Sequence, residues 1–189
     1  MTSNEAPYQI GPSNESVVAL EIFKSGLRTG KKHVLFFEQY EGEALYNRDK
    51  PEESSIRLVI EARSAACRDE WLKPAERKKV LAEVLDPILA ADQQPRLTFA
   101  SSRVARKASS RFEISGTLTM REISKAVTAD VAITSIGDDR LELDGNAQVS
   151  FSDYNLTPPS SALGLIRTKD KMLLRFLLWG EKSQAAAQR

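Results

Sequence analysis

Between Pro95 and Val127 the chain alternates apolar and polar positions with the period of a strand. Leu97 and Phe99 fall on one face, Thr98 and Ala100 on the other. Further on, Phe112, Ile114, Leu118 and Met120 share a face, with Gly116 in step. Alternation at period two predicts strands with one buried face. The link Arg106-Lys-Ala-Ser-Ser-Arg111 is short and polar, so the pair predicts an antiparallel hairpin. The same pattern recurs along the chain. Val17–Phe23 places Val18, Leu20 and Ile22 together, with Glu21 opposite. Ile56–Ala62 aligns Ile56, Leu58, Ile60 and Ala62. Val127–Ile133 alternates again, Leu141–Phe151 is the longest clean run, and Met172–Trp179 is the last. From His33 to Leu45 the parity slips at Leu35, Phe36 and Phe37 and again at Gly42, which predicts one strand with a bulge or strong bend.

The period changes once. Val80, Leu81, Val84 and Leu85 repeat at helical spacing over Pro74–Leu85, and proline suits a first helical turn. Pro87 ends that helix or restarts it as a short turn to Ala91 with Asp86 as its cap. Pro158–Gly164 is a second helical candidate. Residues 1–7 read as a disordered tail, 8–181 as one domain, and 182–189 as a C-terminal tail. About eight strands with one helical excursion predict an all-β fold, an antiparallel barrel or a sandwich. Closure is attractive because it removes exposed strand edges. A barrel of about eight strands is either filled by side chains or wide enough for one small ligand.

Composition narrows the function. Charged residues are 28% of the chain but nearly cancel, at net +1. That balance lacks the basic footprint of a nucleic-acid binder. A single cysteine, Cys67, excludes an internal disulfide framework. The start of the chain has no basic, apolar signal pattern, and no apolar run approaches the ~20 residues of a membrane span. A cytoplasmic protein without a transmembrane segment is therefore expected.

Catalytic chemistry is sparse. There is no G-x-S-x-G elbow, and His33 is the one histidine available as a base. At a strand start it reads first as a structural histidine and only second as a catalytic one. A metal site at His33 with Glu38, Glu41 and Glu43 is weaker than a solvated strand edge. Cys67 beside Arg68 reads as a structural thiol, and Asp138-Asp139 as turn chemistry after Gly137. No catalytic residue, metal or cofactor is expected. Arg103, Arg106, Lys107 and Arg111 form a basic hairpin tip. It is either a solvated tip or a contact for an anionic headgroup or a membrane surface.

Several motifs together resemble the YceI-like family. They are Tyr8-x-Ile10, Arg68-Asp69 followed by Leu72, and Pro95-x-x-x-Phe99-x-Ser101. Gly116-x-Leu118-Thr119 follows, then Lys125 and Val127, Asp153-Tyr-Asn-Leu156, Gly164 and Lys169-Asp170. The resemblance implies a lipocalin-like barrel that holds a polyisoprenoid or another long amphiphile, for carriage, storage or sequestration, without catalysis. Two departures stand out. Many relatives are periplasmic, whereas this chain shows no signal, and Asn155 replaces the glycine of the family's corner. Asparagine tolerates a left-handed backbone better than most residues.

On this reading the inward residues Leu20, Ile22, Phe36, Leu58, Phe99, Ile114, Gly116, Leu118, Val131, Val149 and Phe176 line the ligand site. Which of Leu35, Phe36 and Phe37 faces in stays open. Small residues at inward parity, Ala62, Gly116, Ala129, Gly145 and Ala147, either leave room for a ligand or accommodate tight curvature. A bulky Gly116→Trp is expected to leave the barrel folded and block uptake. The alternative is a filled barrel acting through its surface as an interaction or stress-associated module, at the Lys78-Lys79 helix face or the 103–111 hairpin. The expected partner is a hydrophobic small molecule, with transient membrane contact and a homodimer both compatible with the chain.

Overall fold

The computed structural model describes residues 5–137, 139–161 and 163–183. In chain order the strands are β1 (Glu5–Ile10), β2 (Val17–Gly26), β3 (Lys32–Phe37), β4 (Tyr40–Asn47), β5 (Ser55–Glu61) and β6 (Ala65–Cys67). The helix α1 (Pro74–Glu83) follows, running into a π-helical turn over Val84–Ile88. Then come β7 (Arg96–Arg106), β8 (Arg111–Met120), β9 (Ile123–Ile136), β10 (Arg140–Ser150), β11 (Ser160–Ser161) and β12 (Ile166–Lys182).

The order β1-β4-β5-β7-β8-β9-β10-β12 returns to β1 through Tyr8↔Lys182 and Ile10↔Gly180, so eight antiparallel strands form a closed barrel. The edge of β12 left over by β1 is taken by β2, and β3 and β6 continue outward from β2. Thus β2, β3 and β6 prolong β1, β4 and β5 toward one end of the barrel. After β6 comes the excursion containing α1, which packs against β6. Among the described residues, no helix is long and apolar enough to cross a membrane.

The hairpin predicted at the centre of the chain is present, with Arg106 opposite Phe112. Four expectations change. Residues 5–7 belong to β1, where both edges are used by β4 and β12, rather than to a tail; residues 1–4 and 184–189 lie outside the described residues. The 33–45 region is two strands, not one bent strand. Its buried positions are 33, 35 and 37 in β3 but 40 and 44 in β4, and the two-residue break at Glu38-Gln39 absorbs the change of parity. Pro87 neither stops nor restarts a helix with Asp86 as cap. The π turn spans it, and Leu89 N–H reaches back to the Val84 carbonyl at 2.8 Å. Burial there falls on Val84, Ile88 and Leu89, whereas α1 itself buries no residue completely. Finally, the candidate helix at 158–164 is the short strand β11 and a turn through Leu163 and Gly164, with Ala162 outside the described residues.

One end of the barrel is closed by the corner after β10. Asn155 is left-handed, at φ 55°, a conformation asparagine tolerates better than most residues. The turn buries Phe151 and Tyr154, and the Tyr154 hydroxyl donates to the Leu118 carbonyl at 3.2 Å. Burial pushes the Tyr154 phenol up to about 12, so it stays a donor at any physiological pH. Asp170 holds the turn by accepting from Ser152 N–H at 2.9 Å and Ser152 Oγ at 2.7 Å.

Asp69 pins the start of the excursion to β3. Its carboxylate meets His33 Nδ1 at 2.7 Å and accepts from Val34 N–H at 3.0 Å. Trp71 then stacks on the His33 ring, centroids 5.2 Å apart. Burial lowers the His33 pKa. The Asp69 contact opposes that shift, while Lys24 and Arg28 add to it.

Inside, two phenylalanines lie over glycines on the neighbouring strand. A Cβ at Gly116 would stand 2.6–2.7 Å from the Phe99 ring, and one at Gly145 2.7–2.8 Å from the Phe176 ring. Each would also collide with backbone, the Ala100 carbonyl and the Asp130 carbonyl respectively. The glycines therefore let the rings lie back against the wall. Gly116→Trp cannot serve as the benign plug that the sequence suggested, because even one carbon does not fit.

Two outcomes follow. Gly145→Ala should destabilise by about 1–3 kcal/mol, the usual cost of overpacking, seen as a Tm drop of about 2–4 °C per kcal/mol; an unchanged melt would reject this packing account. For His33, the folded pKa lies below the unfolded one, so its contribution is complete above the unfolded value of about 6.5 and declines as pH falls through it. Melts from neutral to mildly acidic pH should therefore lose stability more steeply in the wild type than in His33→Asn. Parallel pH profiles would overturn that assignment.

Candidate functional site

The barrel interior holds a cavity of about 80 Å³ whose wall is built by alternate residues of the ring strands. Ile56, Leu58 and Ile60 come from β5, Phe99 from β7, and Ile114 and Leu118 from β8. Val127, Ala129 and Val131 come from β9, Leu143 and Ala147 from β10, and Leu174, Phe176 and Leu178 from β12, with Val18 of β2 at the side. Arg175 also borders the space, but its guanidinium points away to Glu21, 3.6 Å distant. No other residue of the wall carries a charge. A second cavity, of about 20 Å³, shares Ile56, Ile114 and Leu143 with the first and continues toward Leu45, Tyr46, Ser54 and Ser55 at the β4–β5 end. The two voids are therefore neighbours, separated by the side chains of Ile56, Ile114 and Leu143.

Of the residues expected at the site, Leu58, Phe99, Ile114, Leu118, Val131 and Phe176 line the cavity. Leu20, Ile22 and Val149 point inward and are buried, but they pack as core toward the closed end. Gly116 lies behind the Phe99 ring rather than on the wall. Phe36 is a correction: Leu35 and Phe37 are the buried pair of β3, while Phe36 sits on the outer face with the Arg68 guanidinium 5.5 Å from its ring. The slip of parity at 35–37 hid this, because three consecutive apolar residues fit either register. Ile60, Ala129, Leu143, Ala147 and Leu174, all at inward parity in the sequence, also line the cavity. Ile56, Val127 and Leu178, which follow the same alternation, complete the wall on β5, β9 and β12.

The polar candidates have other work. The Cys67 thiol lies 3.5 Å from Asp69 Oδ2, the same oxygen that His33 engages. Its nearest acceptor is thus a carboxylate and not an imidazole nitrogen, and burial pushes its pKa up. A protonated thiol is a poor nucleophile. In the basic hairpin, Arg106 lies over the Phe112 ring at 5.2 Å and donates to the Ser109 carbonyl, while Lys107 pairs with Glu113 at 2.8 Å. At the β9–β10 turn the Asp139 carbonyl accepts from Lys182 N–H at 2.7 Å, and Asp138 lies outside the described residues.

Comparison with known proteins agrees with this geometry. The protein YceI of Salmonella arizonae is 25% identical over 143 residues, covering 69% of this chain and 69% of its own. Among solved structures, Burkholderia cenocepacia BcnA superposes with a TM-score of 0.70 at 18% identity, covering 87% of this chain and 95% of that one. A polyisoprenoid binding domain from Saccharophagus degradans, implicated in plant cell wall breakdown, gives a TM-score of 0.65 at 12% identity over 93% of this chain and 98% of that one. At such identities the two structures establish a shared fold. The model of the YceI-like domain matches residues 8–177, and the chain belongs to that family.

Proposed function

We propose that this protein binds a long-chain amphiphile of the polyisoprenoid class, with the hydrocarbon chain inside the barrel, and carries or sequesters it without chemical change. The observation that carries the reading is the cavity wall, which is apolar on each of the six ring strands that build it, β5, β7, β8, β9, β10 and β12, except for the edge at Arg175. Each methylene moved from water into such a space contributes about 0.8 kcal/mol, so a chain binds without polar contacts. Selection would then rest on width and length. The Saccharophagus domain of the same fold, described as polyisoprenoid binding, supports the class of ligand.

One observation favours the filled-barrel alternative. The main void, about 80 Å³, is smaller than the ~150 Å³ cavity that admits benzene. A chain can enter only if wall side chains such as Leu118 and Leu174 repack. Phe99 and Phe176 are already retracted onto glycines and have little more to yield.

Mass spectrometry of the purified protein, native and then after organic extraction, tests the proposal. A stoichiometric isoprenoid or fatty chain, or saturable uptake of added farnesol by the apo protein, is the expected result. A clean apo mass with no farnesol uptake would reject it in favour of the filled barrel. In addition, Ala129→Phe should keep the fold, at an overpacking cost of about 1–3 kcal/mol, and weaken farnesol binding at least about tenfold. Undiminished binding by the folded variant would remove this cavity as the site.

A further inference from the structure

Leucines are normally scattered when they stand exposed, and single ones need no explanation. Here they are not scattered. Among the described residues five large apolar side chains are exposed, and three of them share one end of the barrel: Leu27 at 75%, Leu163 at 105% and Leu165 at 58%. Leu27 is in the β2–β3 turn; Leu163 and Leu165 are in the loop entering β12. The two loops are fastened together. Leu27 N–H donates to the Leu165 carbonyl at 3.0 Å, and that carbonyl lies so close to Gly26 that no side chain could stand there. The Arg167 Nε–H donates back to the Gly164 carbonyl at 2.9 Å. Leu163 also adopts a left-handed φ of 56°. That backbone is costly for a bulky residue, and here no burial offsets it.

The two loop segments of the tip carry charge of one sign. No aspartate or glutamate occurs from Ile22 to Phe37 or from Tyr154 to Lys169, while Lys24, Arg28, Lys31 and Arg167 do. In a chain of net charge +1 this is local concentration, not composition. Of the neighbouring acids, Asp69 is engaged by His33, Glu83 of α1 faces Lys24, and Glu70 precedes Trp71. Trp71 completes the set: its ring lies 5.3 Å from Arg28 and 5.6 Å from Lys31. Exposed leucines beside tryptophan and flanking cations are the composition of a surface that sits in the interface of an anionic bilayer.

We propose that this two-loop tip, with Leu27, Leu163 and Leu165 projecting among Arg28, Lys31 and Arg167, docks the protein on an anionic lipid bilayer. A protein partner fits less well, since a stable interface takes about 800 Å² from each side and the apolar part of the tip is three side chains on two turns. The basic hairpin at 103–111 is at the opposite end, where the exposed apolar side chain is Ile136 of the neighbouring β9. Docking is independent of cavity binding: Met120, Val149, Tyr154 and Met172 are packed between the tip and the void.

The test is co-sedimentation with phosphatidylcholine vesicles, either pure or about one-third phosphatidylglycerol. The wild type should bind the anionic vesicles and release as salt shortens the Debye length from about 10 Å at 0.1 M toward 3 Å at 1 M. The triple variant Leu27→Ser, Leu163→Ser, Leu165→Ser should lose at least about tenfold in binding with an unchanged melt. Arg28→Gln with Arg167→Gln should weaken binding and flatten its salt dependence, whereas Ile136→Ser should bind as the wild type does. In a Trp179→Phe background, Trp71 emission should shift to the blue on adding anionic vesicles. The proposal is overturned by a wild type that ignores anionic vesicles, by a triple variant that binds undiminished, or by equal loss in Ile136→Ser. Farnesol uptake in solution, measured on the same variants, should not change, so failure of docking and failure of cavity binding are told apart.

Discussion

Closure on β12 is the constraint from which the rest of the molecule follows. This strand pairs with β10 along Lys171–Glu181 and offers its other edge first to β2 and then to β1. Without β1 wedged between β4 and β12, a row of backbone donors and acceptors would be left bare and the interior would open to water. Gly180 eases the close approach at the junction, since a Cβ there would stand 3.0 Å from Tyr8 Cβ and push the strands slightly apart. Once the ring is closed, alternation sends every second residue inward, and the interior becomes apolar on all sides at once.

A closed ring of eight strands leaves little room, and what occupies it is decided by pairs rather than by single residues. Phe99 over Gly116 and Phe176 over Gly145 hold two large rings against the wall. Ala129 and Ala147 face each other across β9 and β10 and keep that side thin. The void survives between them. Of the small inward residues, Ala129 and Ala147 border the void, whereas Gly116 and Gly145 are covered by the two rings.

The two ends differ in kind. One is stitched shut by the Phe151–Asn155 corner, by the π turn around Pro87 and by the Asp69–His33–Trp71 stack, and it presents leucines and cations outward. At the other end the second void approaches Tyr46, Ser54 and Ser55. The two-residue turn from β8 to β9 shows how local rules yield to this assembly. Arg121 and Glu122 both take positive φ, at 53° and 63°, with neither a glycine nor an asparagine to favour it. The ladder on both sides and the Arg121 donation to the Pro87 carbonyl at 3.1 Å hold them there.

Alternation alone determined that the chain is a set of antiparallel strands with one apolar face, because side-chain period is a local property of an extended backbone. It also identified the central hairpin and most of the inward residues; the corner at Asn155 was legible only through the family resemblance. The break at Glu38-Gln39, the outward turn of Phe36 and the π turn at Pro87 were not legible, since each depends on which strand or core lies alongside. The same holds for the site. Parity says which residues point in, but only the closed ring decides which of them meet at a void and which, like Leu20, Ile22 and Val149, are buried in the core away from it. Packing is a property of neighbours distant in sequence, and it was the tertiary structure that chose them.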